Sequence, residues 1–179
     1  EQAEILREKG TDRSKFFRGQ VDKYTWVAFG SSYLPSELNA AYLCAQLEAS
    51  VEIDNKRMAI WNYYHESLKP LEEVGYIVRP EVPEYAVQNA HMYYIKVKDL
   101  ETRTRLIAFL REQKICSVFH YIPLHSSKAG KKFGRFHGDD IYTTNESKRL
   151  MRLPIYYSLN LEEAAYVIAS IRKFPDFRL

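Results

Sequence analysis

The chain has 179 residues, a formal net charge of +3, and 46% hydrophobic and 27% charged residues. This composition is typical of a soluble globular protein with one domain, or one domain and part of another. The small net charge argues against nucleic-acid binding. No apolar run approaches the roughly 18 residues of a membrane span, and no signal peptide is visible, so we expect a cytoplasmic protein. Cys44 and Cys116 lie in apolar segments, which predicts buried thiols and neither a disulfide nor a metal site.

The first part of the chain is predicted to be mostly helical. Residues 1–9 indicate a helix, whereas residues 11–29 are polar and aromatic without a clean period. That second stretch predicts either a surface loop or a loop that contacts substrate or a partner. Ser36 is predicted to cap a helix. After a break near residues 49–53, a longer helix is predicted to continue to Pro70.

The remaining part of the chain is predicted to contain three strands alternating with helices. Runs of β-branched and aromatic residues indicate strands at 76–78, 90–97 and 115–121. Helices are predicted to be capped at Thr102, Thr144 and Asn160. Strand–helix–strand connections with about three strands favour a small α+β layer whose helices pack on one face.

The stretch Ser117–His125 carries the candidate site residues. Pro123 has no N–H to donate, so the strand is predicted to end before it and to leave His120, Tyr121 and His125 near a rigid turn. Two histidines five residues apart across a proline cannot share a helical face, which excludes a helical metal pair. The alternative is an ordinary strand edge with a buried, hydrogen-bonded His120 and a surface His125.

The segment from His125 to His137 is predicted to be a basic loop. Its lysines and arginine indicate either a solvated loop or an electrostatic clamp for an anion such as a diphosphate. The acidic pairs Asp139–Asp140 and Glu72–Glu73 are predicted to be solvated. No dinucleotide-binding, phosphate-loop or metalloprotease motif is present. The residues alone therefore indicate a soluble α+β domain that binds a small anion, without naming a reaction.

Several sequence blocks together resemble a known family. They are Arg7–Gly10, Gly30–Ser36 with the following Ala-Ala and Gln-Leu pairs, His120–His125 and Leu153–Tyr156. In this order they resemble the C-terminal half of the DegT/DnrJ/EryC1/StrS sugar aminotransferases, which use pyridoxal phosphate. The resemblance implies an α/β protein, with residues 49–179 forming the small C-terminal α+β domain of a fold-type-I transferase. Residues 1–48 would be a remnant of the large cofactor-binding domain and a dimer-contact helix.

The resemblance also implies an activity. The chain begins without a methionine in what looks like the middle of a helix, so we expect a fragment of a longer enzyme. Its parent would be a homodimer that moves an amino group from L-glutamate to C4 of a dTDP-4-keto-6-deoxyhexose. The similar branch makes dTDP-4-amino-4,6-dideoxygalactose for surface polysaccharide such as enterobacterial common antigen. The alternative is a non-catalytic or regulatory module that binds a nucleotide sugar, with no nucleic-acid or membrane partner.

The resemblance assigns roles to individual residues. His120, Tyr121 and His125 would line the sugar-nucleotide side of the pocket. Ser32 stands where the family has an asparagine that reaches the cofactor phosphate, and Leu34 stands where it has an arginine. The family's Schiff-base lysine lies before the first matching block, and Lys128 lacks its sequence context. We therefore expect no catalytic residue, no metal site, no covalently bound cofactor and no turnover in this chain alone.

Overall fold

The computed structural model describes residues 1–177. It divides into two compact units, Glu1–Ser50 and Val51–Leu179. Within residues 1–177, no helix has the length and apolar character needed to cross a membrane.

The first unit contains three helices: α1, Gln2–Arg7; α2, Arg13–Phe17; and α3, Glu37–Glu48. The predicted helix over residues 1–9 is present, and it ends at Arg7. Ser36 caps α3 as predicted, because its side-chain oxygen accepts a hydrogen bond from the Asn39 N–H at 3.3 Å. The aperiodic segment 11–29 contains α2 and forms an antiparallel bridge between Thr11 and Trp26. Ion pairs of Lys15 with Glu1 and of Arg18 with Glu4 also hold it to the start of the chain.

The second unit is built on a three-stranded antiparallel sheet with the order β1-β3-β2. Its strands are β1, Tyr93–Lys96; β2, Val118–Phe119; and β3, Leu150–Leu153. Its helices are α4, Ser50–Glu73, which starts at the last residue of the first unit; α5, Leu100–Glu112; α6, Lys128–Phe133; α7, Thr143–Arg149; and α8, Leu161–Arg172. A 3₁₀ turn, Leu124–Ser126, precedes α6.

Burial alternates along the strands, which gives the sheet one core face and one outer face. Tyr93 and Ile95 of β1 are buried opposite Leu153 and Met151 of β3, and the residues between them are half-buried. Helices α4, α5 and α8 supply the other side of the core with Tyr64, Leu68, Leu71, Leu106, Leu110, Ala164, Ile168 and Ile171. The predicted α+β layer with helices on one face is therefore confirmed.

The central strand was not predicted as a strand. The sequence indicates a helix capped by Thr144 that runs to Leu150, but α7 ends at Arg149 and Leu150–Leu153 forms β3. Helix α5 begins one turn earlier than predicted, because the Asp99 carboxylate, and not Thr102, caps it by accepting the Thr102 N–H at 2.8 Å. Asn160 caps α8 as predicted, in a reciprocal capping box with Glu163.

All three predicted strands are shorter in the structure. Of the segment 90–97, only Tyr93–Lys96 forms β1. Only Val118 and Phe119 of the segment 115–121 pair with β3. The segment 76–78 contributes one antiparallel bridge, Val78 to Lys96.

Both cysteines are exposed, so the prediction of buried thiols is wrong. In the approach to β2, Ile115 and Ser117 are the buried residues, and Cys116 between them points the other way. Cys44 lies on α3, a helix without a buried residue. Apolar neighbours in the sequence therefore did not predict the exposure of either cysteine.

Candidate functional site

The predicted site stretch lies at the end of the edge strand β2. Val118 and Phe119 are 40% and 49% exposed, so the strand is not the half-buried element that its composition indicates. Pairing with β3 stops after Phe119. Pro123 starts the 3₁₀ turn, and its carbonyl accepts hydrogen bonds from the backbone N–H and the hydroxyl of Ser126. This turn fixes the backbone that carries His125.

The structure brings His120 and Tyr121 together with an arginine that the sequence did not single out. The rings of His120 and Tyr121 meet edge-on at 5.1 Å between centroids. The guanidinium of Arg152 lies 5.8 Å from the centroid of the Tyr121 ring. Arg152 is on the central strand, paired with Tyr94 on one side and Val118 on the other. A cationic residue within the otherwise apolar run Leu-Met-Arg-Leu was its only sequence signal.

Two buried polar atoms in this group have no hydrogen-bond partner within the described part of the chain. They are Nδ1 of His120 and Nε of Arg152. Buried nitrogens are normally paired with protein atoms, water or a ligand. His120 is thus half-buried, and its Nδ1 has no hydrogen-bond partner within the described residues. This differs from the alternative prediction of a buried, hydrogen-bonded His120.

His125 belongs to a second cluster, with Asp140 and Thr144. Its Nε2 lies 2.8 Å from Oδ2 of Asp140, and its ring lies 4.4 Å from the Phe136 ring. The Asp140 carboxylate also accepts the backbone N–H of Thr144 at 3.1 Å and the Thr144 hydroxyl. The prediction that Asp140 is simply solvated is therefore wrong.

The charge state of Asp140 fixes the role of the imidazole. Hydrogen bonds from the Thr144 hydroxyl and backbone N–H, and then from His125, hold the Asp140 pKa below its usual value. An ionised carboxylate only accepts, so Nε2 of His125 must carry the proton and donate it. The Nδ1 atom is then the ring nitrogen that is left for another partner.

The basic segment is not a loop throughout. Helix α6 occupies Lys128–Phe133, and the Ser127 hydroxyl caps it by accepting the Gly130 N–H at 2.9 Å. A side chain at Gly130 would collide with the Leu124 carbonyl, since an added Cβ would lie 1.7 Å from that oxygen. Glycine therefore allows the 3₁₀ turn and α6 to pack together. The lysines of α6 project from the surface as a small cationic patch.

Ser32 lies in the first unit, in a segment held by close backbone contact. Gly10 and Gly30 approach so closely that a Cβ on Gly30 would lie 2.1 Å from the Gly10 nitrogen. The following residues continue this contact, and Ser32 forms an antiparallel bridge with Glu8. Its side chain is exposed. A hydroxyl can donate one hydrogen bond to a phosphate oxygen.

Two other kinds of site were considered, a nucleophilic lysine and a metal centre. Lys128 is exposed at the first position of α6, outside the apolar surroundings that activate an amine as a nucleophile. Within residues 1–177, no group of histidine, cysteine, aspartate and glutamate side chains is arranged to hold a metal ion.

Comparisons with a family model and with two relatives of known sequence all match most of this chain. The model of the DegT/DnrJ/EryC1/StrS aminotransferase family matches residues 1–172. An uncharacterized protein of Methanocaldococcus jannaschii, MJ1066, is 26% identical over 97% of this chain and 46% of its own length. The UDP-4-amino-4-deoxy-L-arabinose–oxoglutarate aminotransferase of Shewanella sediminis is 26% identical over 86% of this chain and 41% of its own length.

Solved structures share the fold at lower identity. DesV of S. venezuelae, solved in complex with a ketimine intermediate, superposes with a TM-score of 0.80 at 23% identity, over 98% of this chain and 43% of that one. PseC of Helicobacter pylori, an aminotransferase involved in the biosynthesis of pseudaminic acid, superposes with a TM-score of 0.78 at 18% identity, over 97% and 45%. The chain thus spans less than half the length of the proteins that it matches.

Proposed function

Since the chain belongs to the DegT/DnrJ/EryC1/StrS aminotransferase family, we propose that the gene product containing it is a sugar-nucleotide aminotransferase. The observation that carries this proposal is the match of the family model to residues 1–172. In the proposed reaction, the amino group of L-glutamate replaces the C4 keto oxygen of a dTDP-4-keto-6-deoxyhexose, and glutamate leaves as 2-oxoglutarate. The product would enter surface polysaccharide of the enterobacterial common antigen type.

The choice of substrate is supported by two sequence blocks. Phe17–Trp26 and Gln88–Met92 resemble the branch of the family that forms dTDP-4-amino-4,6-dideoxygalactose. The Shewanella relative is named for the amination of another nucleotide sugar, which supports the substrate class.

We propose that His120, Tyr121 and His125 bind the nucleotide sugar. Tyr121 is 73% exposed and can stack on a ring. Nδ1 of His125 is free to contact the substrate because Asp140 occupies Nε2. The exposed lysines of α6, which follow directly, would supply positive charge near the diphosphate.

Pyridoxal phosphate would act as the electron sink of the reaction. Within this chain, Ser32 offers a hydroxyl to its phosphate. We propose that the lysine that binds the cofactor covalently lies outside these 179 residues. The residues 1–48 would then belong to the large domain, and residues 49–179 to the small domain, of a homodimer with active sites at the subunit interface. The 179-residue chain alone would be inactive.

The test is an assay of the gene product that contains this chain. With pyridoxal phosphate, L-glutamate and dTDP-4-keto-6-deoxyglucose, we expect equimolar 2-oxoglutarate and a dTDP-amino-dideoxyhexose, identified by mass spectrometry. NMR of the product would assign the configuration at C4. Borohydride reduction and peptide mapping should place the pyridoxyl group on a lysine outside the 179 residues.

Two results would contradict the proposal. If the gene product forms no 2-oxoglutarate with any 4-keto nucleotide sugar but still binds dTDP-sugars, it is the non-catalytic binding module. If the pyridoxyl group is found on Lys128, the assignment of the cofactor-binding lysine is wrong.

A further inference from the structure

Arg152 is a guanidinium without a counter-ion on the outer face of the sheet. Within residues 1–177, no carboxylate lies within ion-pair distance of it. Three other arginines of the second unit have a carboxylate partner: Arg79 pairs with Glu72, Arg105 with Asp176 and Arg149 with Glu146. Arg57 and Arg103 also have a buried Nε without a partner, but Arg103 donates through Nη1 to the Ser147 carbonyl. Arg152 is also half-buried, and its Nε has lost water without gaining a protein acceptor.

The neighbours of Arg152 do not provide a hydrogen-bond acceptor for its Nε. Tyr94 and Val118 flank it on the adjacent strands and offer ring and methyl surface, with no charge. Tyr121 lies against the guanidinium, and His120 lies against Tyr121 with a second unpartnered nitrogen, Nδ1. The acid on this side of the sheet, Glu146, already pairs with Lys96 at 2.7 Å and with Arg149 at 3.2 Å.

We propose that Arg152, with His120 and Tyr121, forms an oxyanion-binding site on the outer face of the sheet. The planar fork of the guanidinium donates two parallel N–H bonds to a carboxylate or a phosphate. The partly desolvated position strengthens such bonds relative to those in water. His120 adds a nitrogen at one side, and the Tyr121 ring holds the guanidinium in place.

Carboxylate and phosphate share this chemistry, and each would come from a different substrate. A carboxylate would be that of the amino donor, and a phosphate would be that of the sugar nucleotide. This assignment to a substrate rests on the proposed function, whereas oxyanion binding does not. The binding test below needs neither cofactor nor turnover, so its failure is distinguishable from failure of the aminotransferase assay.

The test is a titration of the 179-residue chain with inorganic pyrophosphate and, separately, with L-glutamate at constant ionic strength. Calorimetry gives the affinity, and the ¹H–¹⁵N resonance of the Arg152 Nε reports contact in the unmodified chain. We expect a saturable shift of that resonance with at least one probe. Saturation by pyrophosphate assigns the site to the diphosphate, and saturation by glutamate assigns it to the amino donor.

Variants separate a bound oxyanion from general attraction to positive charge. Arg152→Gln should weaken binding about ten-fold or more, as expected for loss of a charge-assisted bidentate contact. Arg152→Lys keeps the charge without the fork and should recover only part of the affinity. Arg105→Gln is the matched control, because Arg105 also lies over an aromatic ring, that of Phe174, but is paired with Asp176. It should bind like the unmodified chain.

The inference is overturned if neither probe shifts the Arg152 Nε resonance in the unmodified chain. It is also overturned if Arg105→Gln weakens binding as much as Arg152→Gln. The first result would leave ordered water as the partner of the two buried nitrogens. The second would mean that the probes respond to the net positive charge and not to a site at Arg152.

Discussion

The Asp140 side chain accepts from three donors: Nε2 of His125, and the hydroxyl and backbone N–H of Thr144. Asp140→Asn keeps the size of the side chain but leaves a single acceptor oxygen, so it cannot hold the imidazole and Thr144 in the same way. We expect the His125 ring to lose its fixed tautomer, and ¹⁵N NMR of the imidazole at neutral pH measures this. In the gene product, substrate KM should rise several-fold more than kcat falls.

The neighbouring variant Asp139→Asn is the control for Asp140→Asn. Asp139 is exposed, and the carboxylate bonded to His125 is that of Asp140. Both substitutions remove one negative charge from the segment, so they differ only in the hydrogen bond. It should leave the proton on Nε2. If both variants shift the His125 resonances alike, charge and not the specific hydrogen bond sets the tautomer.

A buried phenol gives a stability prediction in the core. Tyr64 is fully buried, and its hydroxyl donates to the Pro154 carbonyl at 3.0 Å. Burial raises the Tyr64 pKa, so the group stays protonated and remains a donor. Tyr64→Phe leaves the carbonyl unpaired and should lower the free energy of unfolding by about 1–3 kcal/mol in urea titrations.

Tyr166→Phe is the matched control for Tyr64→Phe. Tyr166 also donates to a backbone carbonyl, that of Gln113 at 3.3 Å, but it is exposed. Water can replace its hydrogen bond, so its loss should cost less than about 0.5 kcal/mol. If the two substitutions lower the free energy of unfolding equally, burial does not determine how much each hydrogen bond contributes to stability.

The site shows which contacts a sequence can and cannot predict at the residue scale. His120, Tyr121 and His125 were found because a strand-like run meets a proline, which is a local signal. Asp140 reaches His125 from the connection between α6 and α7, and Arg152 reaches Tyr121 only after the chain has turned back as β3. No local pattern pairs an aspartate with a histidine fifteen positions earlier, so Asp140 was predicted to be solvated.

At the scale of elements, an ion pair fastens the end of α4 to the segment that follows it. Glu72, on the last turn of α4, accepts the backbone N–H of Arg79 at 2.7 Å and its Nε at 2.6 Å. Arg79 also donates to the His65 carbonyl at 2.6 Å, about two turns before Glu72 in the helix. These bonds hold the segment that contains Val78 and Arg79 against the C-terminal part of α4.

This ion pair makes stability depend on pH. Burial alone would raise the Glu72 pKa, but the backbone and side-chain bonds from Arg79 outweigh it and lower the pKa below 4.5. The folded chain therefore releases this proton more readily than the unfolded chain. The stabilisation is fully present above pH 4.5 and is lost as the pH falls through the folded-state pKa.

Glu72→Gln should remove this contribution and flatten the acid side of the stability profile. The measurement is the urea midpoint between pH 7 and pH 3, where the gap between the unmodified chain and the variant should close on acidification. Glu73→Gln is the control, since Glu73 is exposed and reaches Lys69 only at 4.0 Å. A gap that stays constant with pH would show that Glu72 acts through packing and not through its charge.

Helices and strands were predicted correctly where one periodicity continued along the sequence. The predictions failed where two signals competed. Asn160 and Ser36 were correct caps because each precedes a clear amphipathic or small-residue helix. Thr102 is the wrong cap for α5, since both threonine and aspartate cap helices and sequence alone does not show which oxygen reaches an N–H. β3 was missed because it begins directly after α7 with no turn residue between them.

At the scale of the whole molecule, the first unit leaves most of its apolar side chains uncovered. Trp26, Phe29 and Tyr33 are all more than half exposed. Helix α3 has no buried residue, and Leu38 and Tyr42, one turn apart, are 83% and 72% exposed. Apolar stretches of this kind mark surfaces that another protein surface covers. The proposed large domain and second subunit would provide that cover.

Self-association of the 179-residue chain tests this interpretation. We expect the weight-average mass in sedimentation equilibrium to rise with concentration, because burying the α3 stripe removes apolar area from water. Leu38→Glu combined with Tyr42→Glu places two charges on the stripe and should shift the chain towards the monomer at least about ten-fold in concentration. The matched control is Leu161→Glu with Tyr166→Glu on α8, both residues being 53% exposed. A chain that stays monomeric at all concentrations, or an equal response to the control, would show that α3 is not the contact surface.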